Sequence, residues 1–179
     1  MQFTKTILPG VYKITLPNST DGRGSFTKVF HAEQFKEVIG YIPAFKESFY
    51  TQSHKNVIRG MHFQLPPSDL DKLVYVSSGS ICDVVLDLHT NTETYGKYIS
   101  EELSADNHFA LFIPKGFAHG FVSLSDNAVV HYLTSEIYDP TCDTGICWDS
   151  FGYDWGLDSP IITEKDRGLI SMSNFNSPF

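Results

Sequence analysis

The sequence predicts an all-β fold, a sandwich or a barrel. Apolar segments are short, they recur at roughly 8–12-residue spacing, and each stops at Gly, Pro, Asn or Ser. Residues 11–16 alternate along a strand and end at Pro17-Asn18. Residues 32–39 carry the one helix-like pattern, a turn or two closed by Gly40, since glycine adopts the left-handed conformation that ends helices. Strands follow at 58–64, at 73–76 before Ser77-Ser78-Gly79, and at 81–88. The last three are 109–113, halted by Pro114, then 121–124 and 128–133. From Asp139-Pro140 onward, aromatic stretches and a polar end predict loops that lie over the barrel rather than build it. Whether the final residues are loose or pack on a partner subunit stays open.

The length of 179 residues suits one domain spanning 1–179. Lys plus Arg number 13 against 21 Asp plus Glu, a net charge of −8 that disfavours broad nucleic-acid or anionic-membrane surfaces. It leaves room for a small phosphate pocket built from a few cations. No apolar run approaches the ~18 residues of a membrane span, and the first residues form no signal-peptide core. Cys82, Cys142 and Cys147 form an odd set without paired spacing, as expected of reduced thiols in the cytoplasm.

Two segments set ionisable side chains among apolar strand residues. In Ile58-Arg59-Gly60-Met61-His62-Phe63-Gln64, alternation puts Gly60, His62 and Gln64 on one face and the apolar Met61 and Phe63 on the other. His62 thus points away from the apolar pair, toward a cavity if the strand belongs to a barrel. The second segment runs from Ile113-Pro114-Lys115-Gly116 through His119 to Phe121, with His131-Tyr132 beyond. Singly, each residue has an ordinary reading: a hydrogen-bonded structural His, a core Tyr, a solvated edge Lys. Together, Arg59, His62, Lys72, His119 and Tyr132 would supply one barrel mouth with a base, a phenolic acid and several cations. Pro114-x-Gly116-x-x-His119 resembles the second motif of cupins. The first cupin motif needs His-x-His followed by Glu, whereas His62 is followed by Phe63 and Gln64, so no metal is expected.

Nearly end to end, the chain resembles the dTDP-4-dehydrorhamnose 3,5-epimerase family of metal-free, cofactor-free cupin barrels. The resemblance rests on Asp21-Gly22-Arg23-Gly24-Ser25-Phe26, Arg59 to Gln64 with Pro66-Pro67, and Lys72-Leu73-Val74. It continues through Gly79 to Val84, Thr94-Tyr95-Gly96, Leu103-Ser104 and Ile113 to Phe121. It closes with Tyr132, Tyr138-Asp139-Pro140, Gly145 to Trp148, and Lys165-Asp166. It implies a cupin-type jelly roll and a homodimer in which one subunit's N-terminal strand helps complete its partner's site. The implied reaction inverts C3, C5 or both of a nucleotide-linked 4-keto-6-deoxyhexose in deoxysugar synthesis. A proton next to the C4 ketone is removed from one face and another is returned to the opposite face. By this resemblance His62 is the base, Lys72 stabilises charge on O4, Tyr132 is the acid, Asp166 orients His62, and Asp83 orients His119. Arg23 and Arg59 match diphosphate contacts, Tyr138 matches a stacker on the nucleobase, and Phe26 and Lys165 fall among the substrate-binding positions.

The departures cluster at recognition positions. Family members usually carry Glu where Lys28 stands, Gln and Asn where Glu47 and Phe49 stand, and often a larger acid at Asp143. If Lys28 faces the base, its ammonium suits the acceptor N3 of cytosine, which favours a CDP-sugar over a dTDP-sugar. The other reading makes Lys28 a solvated residue paired with Glu47. Phe49, apolar where an amide is usual, would narrow the sugar pocket toward a sugar lacking a hydroxyl or toward inversion at one carbon. Competing functions are a 3,4-ketoisomerase of the same sugars and a non-catalytic carbohydrate-binding barrel.

Overall fold

The computed structural model describes residues 1–179. Strands β1 (Gln2–Lys5), β2 (Tyr12–Thr15), β3 (Asn18–Asp21) and β4 (Gly24–Thr27) precede helix α1 (Ala32–Ile39). Strands β5 (Glu47–Ser53), β6 (Ile58–Gln64), β7 (Lys72–Ser78), β8 (Ser80–Asp87) and β9 (Tyr98–Ser104) follow. Then come β10 (Phe109–Ile113), β11 (Phe117–Ser123), β12 (Ala128–Thr134), a short β13 (Asp143–Gly145) and helix α2 (Glu164–Arg167). They form a six-stranded sheet in the order β1-β2-β10-β7-β12-β5 and a five-stranded sheet in the order β13-β6-β11-β8-β9. Every strand pairing is antiparallel. The sequence-predicted all-β architecture is thus observed, as two sheets folded face to face into a cupin-type jelly roll.

Three apolar layers hold it together. Between the sheets lie Val74, Val76, Leu111, Ile113 and Val130 from one, and Ile81, Val85, Leu103, Phe117 and Phe121 from the other. On the outer face of the six-stranded sheet, α1 drives the fully buried Phe35 onto Ile14, Leu73 and Phe112, with the Phe35 and Phe112 rings 5.6 Å apart. Gly40 ends α1 at φ 91°, donating its N–H to the Lys36 carbonyl, as expected of a glycine helix stop. On the outer face of the five-stranded sheet, Ile58, Met61, Phe63 and Leu86 are covered by the chain's last third. There Trp155 is pinned by its indole N–H donating to the Trp148 carbonyl at 2.8 Å.

That last third differs from the expectation that it merely overlies the barrel. β13 adds an edge strand to β6, and single parallel bridges join Val57 to Ile161 and Ile146 to Ile170. These bridges flank α2 and hold it against β6. The final residues pack on their own subunit: Phe175 and Phe179 lie edge-on to Phe63, and the Phe179 carbonyl accepts the Thr90 N–H. No helix is long and apolar enough to cross a membrane.

One close approach shapes β6. His119 pairs with His62, but Phe121 pairs with Arg59, so β6 carries one residue more than β11 over this stretch. At this bulge Gly60 has φ +124°, and a Cβ there would meet the Gly120 Cα at 2.6 Å. A Cβ on Gly120 would meet the Arg59 carbonyl oxygen at 2.7 Å. The bulge shifts the alternation, so Arg59 and His62, three residues apart, both face the interior beside Gln64. We predict that Gly60→Ala and Gly120→Ala each lower the unfolding free energy by about 2 kcal/mol or more. The test is urea denaturation, and an unchanged midpoint would mean that the strands part here without cost.

Candidate active site

The open end of the barrel holds a pocket of about 280 Å³ between the two sheets. Strand β6 contributes Arg59, His62 and Gln64, and β11 contributes His119. The opposing sheet contributes Glu47, Phe49 and Thr51 from β5, Lys72 from β7, and Tyr132 and Thr134 from β12. Tyr138 and Asp143 stand at the mouth.

His62 Nε2 lies 2.7 Å from Asp166 Oδ1, and Asp166 Oδ2 accepts the Gly60 N–H at 3.4 Å. Burial works against ionisation of Asp166, but the His62 hydrogen bond and charge, the Gly60 N–H and Lys165 outweigh it and hold its carboxyl below the usual value. An ionised carboxylate only accepts, so it fixes the His62 proton on Nε2 and leaves Nδ1 as the basic nitrogen. α2 presents Asp166 because Thr163 caps it, its hydroxyl oxygen accepting the Asp166 N–H.

His119 and Asp83 form a deeper pair, Nε2 to Oδ2 at 2.8 Å, with both side chains almost sealed from water. Burial raises the Asp83 carboxyl, partly offset by His119 and Lys72, and its Oδ1 has no partner. Lys72 reaches from one sheet toward the other, its Nζ donating to the His62 carbonyl at 3.0 Å. Burial lowers the Lys72 ammonium to about 8, against the pull of the Asp143 and Asp83 charges. Burial likewise pushes the Tyr132 phenol far above its ordinary value. Phe49 stacks on the Tyr132 ring at 4.7 Å, 16° from parallel.

The mouth is organised by carboxylates. Glu47 Oε2 accepts the Tyr138 N–H at 2.9 Å, and Asp143 Oδ2 pairs with Lys165 Nζ at 2.6 Å. The Tyr138 ring is left more than half exposed. Arg59 is steadied by Ser53, whose hydroxyl accepts Nε–H at 3.0 Å.

Of the sequence-derived site residues, the fold gathers His62, Tyr132, Lys72, Asp166, Asp83, His119, Arg59, Glu47, Phe49, Tyr138, Asp143 and Lys165 in or around this pocket. It does not bring Arg23, Phe26 or Lys28 there. Strands β3 and β4 form a separate two-stranded ribbon, with the Arg23 side chain 91% exposed and paired only with Asp21. Lys28 is exposed in a groove beside Phe26 and His31, and Glu47 is engaged by Tyr138 rather than by Lys28. The physical reason is that this ribbon has no apolar inward face to bury against its own barrel. Thr51, Thr134 and Leu70 line the pocket without having been singled out from sequence. The signal for Thr51 was the two-residue spacing of Glu47, Phe49 and Thr51 in turn, visible only once β5 is recognised as a strand. No three His, Cys, Asp or Glu side chains converge as a metal-ligating group.

A jelly roll with ionisable groups lining a pocket between its sheets places the molecule among the cupin-type barrels. The particular family is explicit: the model of the dTDP-4-dehydrorhamnose 3,5-epimerase family matches residues 5–174, and the chain belongs to that family. The Escherichia coli dTDP-4-dehydrorhamnose 3,5-epimerase is 41% identical over 85% of this chain and 84% of its own. The Methanothermobacter thermautotrophicus relative is 43% identical over 93% of this chain and 91% of its own. A Legionella pneumophila dTDP-6-deoxy-D-glucose-3,5-epimerase, solved with dTDP-4-keto-L-rhamnose, superposes with a TM-score of 0.93 at 29% identity, covering 98% of this chain and 94% of that one.

In an NMR titration of the lysine ε-methylene signals, Lys72 is expected to titrate near pH 8. Lys165, raised chiefly by its Asp143 hydrogen bond, is expected to stay above the ordinary lysine value. A Lys72 midpoint at or above that of the surface lysines would contradict the buried setting described for it.

Proposed function

We propose that residues 1–179 act as one catalytic unit that inverts C3, C5 or both of a dTDP-linked 4-keto-6-deoxyhexose. The observation that carries the reading is the placement of His62 and Tyr132 on opposing sheets, with Lys72 reaching between them. Inversion needs a base on one face of the sugar and an acid on the other, because a single group acting both ways returns the proton to its original side.

His62 Nδ1 takes the proton from a carbon beside the C4 ketone, and the electron pair moves onto O4. The Lys72 ammonium offsets that developing charge, which is what makes the C–H acidic enough to break. The Tyr132 O–H bond then breaks as a new C–H bond forms on the other face. This leaves an imidazolium and a phenolate, which return to their starting states by proton exchange through the pocket mouth. Asp166 holds the His62 tautomer, and the buried His119–Asp83 pair supports the wall between them.

A pocket of about 280 Å³ suits a sugar ring rather than a whole nucleotide sugar. The diphosphate and base therefore extend through the mouth, past Arg59 to the exposed Tyr138. A homodimer supplies the rest: the β3–β4 ribbon, which exposes Phe26 and Arg23, reaches the partner's mouth and brings Arg23, Phe26 and Lys28 to the nucleotide. The three unpaired cysteines are compatible with the reducing cytoplasm.

Proton NMR in D2O with dTDP- and CDP-linked 4-keto-6-deoxyglucose tests this directly. Exchange and inversion are expected with the dTDP sugar. His62→Asn and Tyr132→Phe should each slow inversion by about 10²- to 10⁴-fold, and Lys72→Met by about 10²- to 10³-fold. No exchange with either nucleotide would overturn the reading, and a shifted carbonyl would assign ketoisomerisation instead. Because kcat/KM reports the free enzyme and only charged Lys72 stabilises O4, kcat/KM should fall as pH rises through about 8. For the dimer, mixing an Arg23→Ala subunit with a His62→Asn subunit should restore activity that neither variant has alone. Absence of restoration in a mixture shown to exchange subunits would place Arg23 outside the partner's site.

A further inference from the structure

Tyr132 is poorly equipped for the acid role by its surroundings alone. It is buried, and the Asp83 carboxylate nearby opposes the formation of a phenolate. A donor must stabilise the phenolate once the proton has left, or the proton stays on oxygen. The neighbouring strand β5 sets two side chains beside it. In the β12–β5 register Tyr132 pairs with Phe49, and Val130 pairs with Thr51, so both β5 side chains face the pocket beside the phenol. Phe49 covers the flat of the Tyr132 ring. The Thr51 hydroxyl is sealed from solvent and has no hydrogen-bond partner in this structure. A buried hydroxyl without a partner costs about 1–3 kcal/mol, so its retention on a pocket wall calls for a reason. The register sets it two residues along from Tyr132 on the same wall, where it favours the ionised phenol, as does the charge of Arg59.

We propose that Thr51 is a positioning residue whose hydroxyl donates to the Tyr132 oxygen as the phenol gives up its proton, while the Phe49 stack keeps the ring facing it. The idea rests on the reading of Tyr132 as the acid. The hydrogen bond is absent before the reaction, when Tyr132 O–H is itself a donor aimed at the substrate. It forms when the oxygen becomes anionic, so it acts on the barrier rather than on substrate binding. No atom leaves Thr51: its O–H bond stays intact throughout.

The experiment follows two rates in D2O on one sample: wash-in of solvent deuterium, which needs only His62 to remove and return a proton on its own face, and formation of the inverted product, which also needs Tyr132. Thr51→Val is nearly isosteric and favourable in a strand. It should lower inversion about tenfold or more while leaving wash-in and KM close to those of the parent enzyme. Thr51→Ser, which keeps the hydroxyl, should restore inversion. The ratio of the two rates does not depend on how much of the variant is folded, so a purely structural defect lowers both rates and leaves the ratio at the parent value. A parent ratio in Thr51→Val would overturn the proposal, as would failure of Thr51→Ser to bring a raised ratio back. Tyr132→Phe separates the two levels: a raised ratio there with an unchanged one in Thr51→Val defeats the role of Thr51 alone. An unchanged ratio in Tyr132→Phe defeats the assignment of the acid itself.

Discussion

The bulge where β6 passes β11 is the constraint on which the pocket depends. Gly60 and Gly120 let the two backbones come closer than any Cβ allows, and the extra residue on β6 reverses the alternation of side chains. Without it, Arg59 and His62 would point to opposite faces. With it, both point inward, while Ile58, Met61 and Phe63 keep their places in the outer apolar layer. The same bulge carries the Gly60 N–H that helps hold the Asp166 carboxylate. A single local irregularity thus brings an imidazole, the carboxylate paired with it and a guanidinium together without opening the core.

The pocket is expensive to maintain, and the fold shows how the cost is met. Asp83 and His119 lie in nearly complete burial, where an isolated charge would be prohibitive, and they survive by pairing with each other, with the Lys72 charge nearby easing the carboxylate. Lys72 is held where burial weakens its hold on a proton, yet Asp83 and Asp143 keep the cation within reach at neutral pH. The six-stranded sheet carries that cation and the phenol, and the five-stranded sheet carries both imidazoles. The two walls of the pocket therefore differ in chemistry because two separate sheets provide them.

The outer layers also serve the site. α2 is only a single turn, yet it places Asp166 because parallel bridges on either side of it tie the chain's last third to β6 and β13. Phe175 and Phe179 close the apolar layer behind Phe63, one residue from His62. At the mouth, Glu47 and Asp143 act less as ligands in waiting than as anchors, the first holding the Tyr138 backbone and the second holding Lys165. That arrangement differs from one in which Lys28 pairs with Glu47: Lys28 lies just past β4, in a groove beside Phe26 and His31.

By itself the sequence determined the all-β class, the strands with apolar alternation, the helix ending at Gly40, and the residue types of the ionisable cluster in the pocket. These are legible because burial and turn formation impose local patterns: β10 matches residue for residue, and β7, β8 and β12 within about two residues. Strand β5 was not legible, because its inward positions Glu47, Phe49 and Thr51 face a pocket rather than a core and so break the polar–apolar alternation. Strand β9 was missed for a related reason, with polar and charged residues through its centre. The pairing of Asp166 with His62, more than a hundred residues away in the chain, was implied by family resemblance and not by any local pattern. Only the tertiary structure decided that Arg59 shares a face with His62, that Thr51 stands beside Tyr132, and that Arg23, Phe26 and Lys28 lie away from the pocket of their own chain. Each depends on register between strands distant in sequence, and a one-residue bulge is enough to reverse which way a side chain points.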